Sequence, residues 1–235
     1  MIKKYCFLLS ALFLLSLGLK AAEPEVYRLQ VGDFTELQVI DDINVIHKCV
    51  SDSAGLAVFT APSELASVFI FSNNKNKLKI EKNSDIEMQT PSLPVVTVYS
   101  NFISKVENSG DSTIVVEKPT PESNFKARVI GNGSIIANDI HATQTEGSLD
   151  TGKGHIVFNG VTRSVNLKNI GTGRIEAGGL KAETGSVKIL GTGPVDCYVT
   201  DELNVSGMGT GKVYVKGNPK MKKRTLGSIE IINVQ

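Results

Sequence analysis

The sequence predicts an all-β protein: a right-handed parallel β-helix, or solenoid, with about 18–21 residues per coil in its C-terminal half, preceded by a β-rich N-terminal part. Three observations carry that prediction. Glycine pairs recur as Gly131-Asn132-Gly133, Gly152-Lys153-Gly154, Gly171-Thr172-Gly173, Gly191-Thr192-Gly193 and Gly209-Thr210-Gly211, starting 21, 19, 20 and 18 residues apart. Two residues after each pair stands a β-branched apolar residue: Ile135, Ile156, Ile175, Val195 and Val213. Beyond the first 22 residues no stretch sustains a helical period, Trp is absent, and 22 glycines fall at turn-like intervals. A fixed period of this length belongs to stacked repeats, in which no unit buries its apolar side alone.

Residues 1–22 read as a secretory signal. Lys3 and Lys4 supply the basic start, Phe7–Leu19 the apolar middle, and Ala21-Ala22 the small-residue exit. The apolar run is shorter than the ~20 residues of a membrane-spanning helix. Cys6 precedes that run, so it cannot be the lipid-bearing first residue of a mature lipoprotein. No later run is long enough to span a bilayer. The 25 basic and 24 acidic residues nearly cancel, which leaves no broad basic field for nucleic acid.

From Val26 to Lys82 the pattern is strand-like. Leu37, Val39, Ile43 and Val45 share one parity, as a half-buried strand requires, and Asp41-Asp42 turns the chain between them. Leu56, Val58, Val68 and Ile70 continue the alternation, with Ser63–Ala66 as one short helical turn. Asn73-Asn74-Lys75-Asn76 is a turn, after which Leu78 and Ile80 open another strand. Prolines at Pro91 and Pro94, then at Pro119 and Pro121, mark pauses in the ladders. The chain therefore divides into a signal (1–22), an N-terminal β-rich part (23–107), either separate from the solenoid or continuous with it, and the repeat solenoid with its C-terminal cap (108–235).

Within the repeats a second inward residue follows the first: Ala137, Phe158, Ala177, Cys197 and Val215. Ile136, Val157, Glu176, Asp196 and Tyr214 lie between and point outward by alternation. A degenerate first copy stands at Gly110-Asp111-Ser112, with Ile114 in the matching place. A second short strand precedes each pair, as in Val165-Asn166-Leu167 and Val187-Lys188-Ile189, so one coil holds about two strands and two turns. Thr172, Thr192 and Thr210 would stack as a ladder at one corner. After Pro219 the period breaks down: Lys220, Lys222, Lys223 and Arg224 read as a solvated cap on an irregular last coil, or as a patch for anionic polysaccharide or headgroups.

These motifs, in order, resemble one known family. Phe34-Thr35-Glu36-Leu37-Gln38-Val39, Ile43-Asn44-Val45, Leu78-Lys79-Ile80, the repeated Gly-Thr-Gly units and the closing Val213-Tyr214-Val215-Lys216-Gly217-Asn218-Pro219 are similar to the secreted "putative auto-transporter adhesin, head GIN domain" family of Bacteroides-type Gram-negative envelopes. The likeness spans about Phe34 to Pro219. It implies a parallel β-helical fold, a periplasmic or cell-surface location and no catalytic residues; no translocating barrel accompanies it.

Candidate chemistry is sparse. The glycine pairs lack the helix and the Lys-Ser/Thr of phosphate loops, and no calcium-repeat Asp recurs at a fixed phase. His47, His141 and His155 share no ligand spacing and read as solvent-exposed, with His141 in a polar loop. Cys197 falls in the inward column as a buried thiol, and a Cys49–Cys197 bridge would have to join the two halves. Tyr198 and Tyr214 face outward on adjacent coils as a small sugar-stacking patch, and Asp52-Ser53-Ala54 fits a three-residue O-glycosylation signal. Glu176 and Asp196 stack on a flat face, not in a cleft. No catalytic, cofactor or metal set is assigned, and the ligand-binding residues are unknown.

Three function classes follow. The first is a non-enzymatic secreted or cell-surface scaffold for an envelope, glycan or protein ligand, with adhesion as the leading role. The second is a periplasmic structural or maintenance protein. The third is a polysaccharide-cleaving β-helix enzyme, disfavoured because the coils are too uniform to carry cleft-forming loops.

Overall fold

The computed structural model describes residues 23–86, 93–119 and 122–234. The expected signal segment, Pro91 and Pro121 lie outside these residues. Among those described, strands dominate, and they join into one 17-stranded sheet. The N-terminal strands are β1 (Glu25–Gln30), β2 (Glu36–Val39), β3 (Val45–Cys49), β4 (Leu56–Ala61), β5 (Phe69–Asn74), β6 (Lys77–Lys82) and β7 (Val96–Ser100). Next come β8 (Lys105–Asn108), β9 (Thr113–Glu117) and β10 (Glu122–Ile130), followed by the long strands β11 (Ser134–Thr151), β12 (His155–Asn169), β13 (Arg174–Ile189) and β14 (Val195–Gly209). β15 (Lys212–Lys216), β16 (Lys220–Gly227) and β17 (Glu230–Val234) close the chain.

The strands stack in parallel as two walls of a solenoid. One wall runs β6, β2, β8, β10, the second halves of β11 to β14, and β16. The other runs β7, β3, β9, the first halves of β11 to β14, β15 and β17. The second strand of each repeat is not a separate element. β11, β12, β13 and β14 bend around the corner without ending, and the bend is absorbed by register shifts such as that between Ala137 and Ile140.

The inward columns explain the sequence period. Ile135 pairs with Ile156, Ile156 with Ile175, Ile175 with Val195 and Val195 with Val213. All are fully buried. Ile114 extends the column into the degenerate first repeat, and Val45 and Val96 continue it into the N-terminal part. Phe158 shows how bulk is accommodated. It pairs with Ala137, Ala177 stands two residues after Ile175, itself paired with Ile156, and a Cβ on Gly147 would come within 2.8 Å of the Phe158 ring. The ring fits because small residues flank it, while the buried Phe125 ring meets it edge-on at 6.1 Å between centroids.

The paired glycines stack as well, and at all but Gly131, which instead holds a φ of +110°, close approach is the reason. A Cβ on Gly173 would lie 2.0 Å from the Gly154 carbonyl oxygen, and one on Gly193 1.9 Å from that of Gly173. Any side chain there would push adjacent coils apart.

The N-terminal part departs from simple winding. The coil β2–β3 lies between β6–β7 and β8–β9, so stacking order does not follow chain order. β4 runs antiparallel to β1 and to β7, and β5 antiparallel to β6, so reversed strands cover that end. This reversal corrects the expected parity. Ala57, Phe59 and Ala61 face inward instead of Leu56 and Val58, while Val68 is buried and Ile70 is exposed. Phe59 is held by Tyr27 at 5.2 Å, Phe69 at 4.9 Å and Phe71 at 6.3 Å between ring centroids. The expected helical turn is present at Ser63–Leu65, and a second one forms at Ser51–Ser53.

The last coil is also more regular than its sequence suggests. β16 pairs with β14 in unbroken register from Glu202↔Lys220 to Gly209↔Gly227, and β17 pairs with β15. Backbone pairing survives there because it needs no particular side chain. The apolar pattern is lost where, among the described residues, no further coil covers the inward positions: Met221 and Lys223 stand opposite Leu203 and Val205.

Candidate binding walls

The outer surfaces of the walls carry charge ladders. Arg174 bridges two coils, with Nε 3.0 Å from Glu176 Oε1 and Nη2 2.7 Å from Asp196 Oδ2. Glu176 and Asp196 are in direct register, as expected, with a guanidinium holding them together. That neutralised pair has no geometry for acid–base work. Asp196 is the leading cause of the upward shift in the Arg174 pKa. Arg128 plays the same role on the other wall, 2.7 Å from Asp150 and 3.3 Å from Glu107. Burial opposes ionisation of Asp150, but hydrogen bonds from Ser148 and Arg128 outweigh it and hold the carboxyl below its ordinary range.

The histidines fall in three different settings. His155 is outward, with Nε2 3.1 Å from Glu176 Oε1 but not aligned for a hydrogen bond. His141 is exposed as expected but sits within β11 instead of a loop, with Nε2 3.0 Å from Asp139 Oδ1. His47 overturns the exposed reading: it is fully buried in the inward column opposite Val98 and Val116. Its Nε2 lies 2.8 Å from Ser100 Oγ, which donates in turn to the Phe102 carbonyl at 3.0 Å. That chain makes the histidine the donor, and Nδ1 is left without a partner. Burial pushes the His47 pKa down to about 4. A serine and a histidine in contact could be mistaken for a nucleophile and its base. Both are fully buried, and the serine proton is committed to a carbonyl, so the pair is structural.

Cys49 and Cys197 are both free, with no bridge between them, and Cys197 is buried with its thiol pushed up to about 12, chiefly by desolvation. Tyr198 and Tyr214 do point outward on neighbouring coils, and the Tyr198 ring is covered by Lys216 Nζ at 5.4 Å. Thr172, Thr192 and Thr210 are exposed at the corner, where Thr172 Oγ1 donates to the Gly152 carbonyl at 3.2 Å. Of the basic cluster, Lys222 pairs with Glu202 at 2.7 Å, and Lys223 turns over the open end to donate to the Ile229 carbonyl at 3.0 Å.

A depression of ≈ 630 Å³ crosses the narrow side of the solenoid, lined by Ser123, His141, Thr143, Val161, Arg163 and Glu183 among others. It is a shallow groove across adjacent coils. Among the described residues, no three His, Cys, Asp or Glu converge on a metal-sized site, and no helix is long and apolar enough to cross a membrane.

The family model described as "Putative auto-transporter adhesin, head GIN domain" matches residues 33–219. The chain belongs to this family. No curated protein gives a significant match. Solved structures share the fold over nearly the whole chain. A putative adhesin from Bacteroides fragilis superimposes with a TM-score of 0.81 at 17% identity, covering 90% of this chain and 97% of its own. A protein from Parabacteroides distasonis described as a putative lipid binding protein gives 0.73 at 21% identity, over 91% and 97%. A putative adhesin from the same species gives 0.72 at 19% identity, over 91% and 98%. At these identities the likeness establishes the fold.

Proposed function

We propose that this GIN-domain protein is a non-enzymatic, extracytoplasmic scaffold of a Gram-negative envelope that binds an envelope, glycan or protein ligand on the outer walls of its solenoid, with adhesion as its role. The supporting observation is the filled interior. Apolar side chains fill the inward columns from Val45 to Val215, with His47 and Cys197 among them, so a partner meets the protein on its outside. The polar ladders fix that outside rigidly, since each outward side chain is indexed to its neighbours by the strand register.

External protease applied to intact source cells tests the location. Digestion of this protein while a periplasmic marker survives supports surface adhesion, and a screen against glycans and matrix proteins then identifies the partner. Survival of both overturns the adhesive role and directs the search to partners within the envelope. Release of oligosaccharides from acidic polysaccharides by the purified protein would overturn the non-enzymatic reading.

A further inference from the structure

One corner of the solenoid carries a feature that the ladders do not explain. On the wall formed by the second halves of β12, β13 and β14 with β16, register places Lys168 beside Lys188, Lys188 beside Ser206, and Ser206 beside Arg224. Two residues further along, at the edge of the same wall, stand Leu190, Met208 and Leu226, with Met208 directly opposite Leu226. Their exposures are 39%, 60% and 69%. Alternation puts them on the outer surface with the cations, because Ile189, Val187 and Val205 fill the interior from the positions between.

Elsewhere the walls neutralise themselves: Arg128, Arg174, Lys126 and Lys105 each face a carboxylate. Among the described residues, neither Lys188 nor Arg224 forms an ion pair. A ridge of flexible apolar side chains, unpaired cations on its flank and a neighbouring corner of threonines is the pattern of a surface that lies on a lipid bilayer. The apolar tips enter the acyl boundary and the cations meet headgroup phosphates. A soluble polyanion would use the cations but has no use for three protruding apolar side chains.

We propose that this ridge docks the protein onto an anionic phospholipid surface, with Leu190, Met208 and Leu226 inserted and Lys188 and Arg224 on the headgroups. The docking goes beyond the adhesive reading, and it leaves the opposite wall and the N-terminal end facing away from the bilayer.

The test is co-sedimentation of the purified protein with vesicles of phosphatidylcholine alone and of phosphatidylcholine containing about 30% phosphatidylglycerol. Binding to the anionic vesicles, weakened by salt, is expected. The double variant Lys188→Ala/Arg224→Ala should lower the partition coefficient roughly 25-fold, about fivefold per cation. Met208→Ser/Leu226→Ser should lower it at least about tenfold. Both pairs are outward on the surface, so circular dichroism and the thermal midpoint should match the parent and exclude misfolding. Absence of binding to anionic vesicles overturns the proposal. So does equal binding by the variants, or binding to a soluble acidic polysaccharide that survives Met208→Ser/Leu226→Ser. Vesicle binding is scored independently of the protease and ligand assays, so either reading can fail alone.

Discussion

The two ends of the solenoid stop the same stack in opposite ways. At the N-terminal end the strand direction reverses: β4 and β5 run antiparallel to the coils they cover, and an aromatic cluster of Tyr27, Phe59, Phe69 and Phe71 seals them. At the C-terminal end the direction never changes. Among the described residues β16 pairs only with β14 and β17 only with β15, which leaves their far edges open beside Lys220, Lys222, Lys223 and Arg224. An open parallel edge invites another strand, and lysines discourage one. The first end is closed by packing and the second by charge, so the two should respond differently to substitution.

The largest effect is expected between them, in the glycine columns. Gly193→Ala would drive a methyl against the Gly173 carbonyl and should cost more than about 4 kcal/mol in urea unfolding. Gly131→Ala meets nothing within 4 Å but must hold a φ of +110°, and should cost only about 1–2 kcal/mol. Equal losses would mean that backbone conformation, not stacking distance, sets the period.

Large-to-small changes sharpen the contrast next. Phe158→Ala in the repeats and Phe59→Ala in the cap should each cost about 3–5 kcal/mol. Amide exchange should separate them. The cap variant should open β1, β4 and β5 alone, whereas the repeat variant should loosen coils on both sides. Uniform exchange in both would show that the cap and the stack unfold as one unit.

The N-terminal part should also respond to mild acid, through His47. His47 has a folded value of about 4 against an unfolded value near 6.5. Over that interval the unfolded chain binds the extra proton, so stability falls as pH drops from 6.5 and the contribution is lost below 4, on the order of 3 kcal/mol in all. His47→Leu should flatten that limb of a stability–pH curve. An unchanged limb would place the acid response elsewhere.

The smallest effect belongs to the walls. Arg174 is nearly half exposed, so Arg174→Ala should cost no more than about 1 kcal/mol and progressively less as salt is raised. A salt-independent loss of several kcal/mol would make the ladders part of the fold's stability, not of its surface.

The repeats were legible because each coil repeats one demand at one spacing. Ile135 to Val213 and the glycine pairs announce the columns, and the cysteine at 197 could be placed by phase alone. The N-terminal part was less legible. Leu56 and Val58 alternate as well as Ala57 and Phe59 do, and only an antiparallel neighbour decides which set is buried. His47 carried the correct parity beside Val45, but its polar type argued for the surface; its partner, Ser100, is remote in sequence and left no local signal. The regular last coil was hidden for a different reason: register is a backbone property, and the side chains there advertise solvent. On the walls, periodicity identified Glu176 and Asp196 as neighbours but not the arginine joining them. It also gave no warning that the outward ridge from Leu190 to Leu226 stays uncovered.

The misplaced coil has a consequence for how the chain must assemble. From β10 onward each new coil lands on one already laid down, so a chain delivered N-terminus first can fold as it arrives. β2–β3 has no such template. Both its neighbours, β6–β7 and β8–β9, come later in the chain, so it waits with both edges unpaired until residues near Ser100 have been delivered, and with one edge still open until those near Glu117 follow. Assembly therefore has a vulnerable interval confined to the first half of the molecule, when a holding factor would matter most.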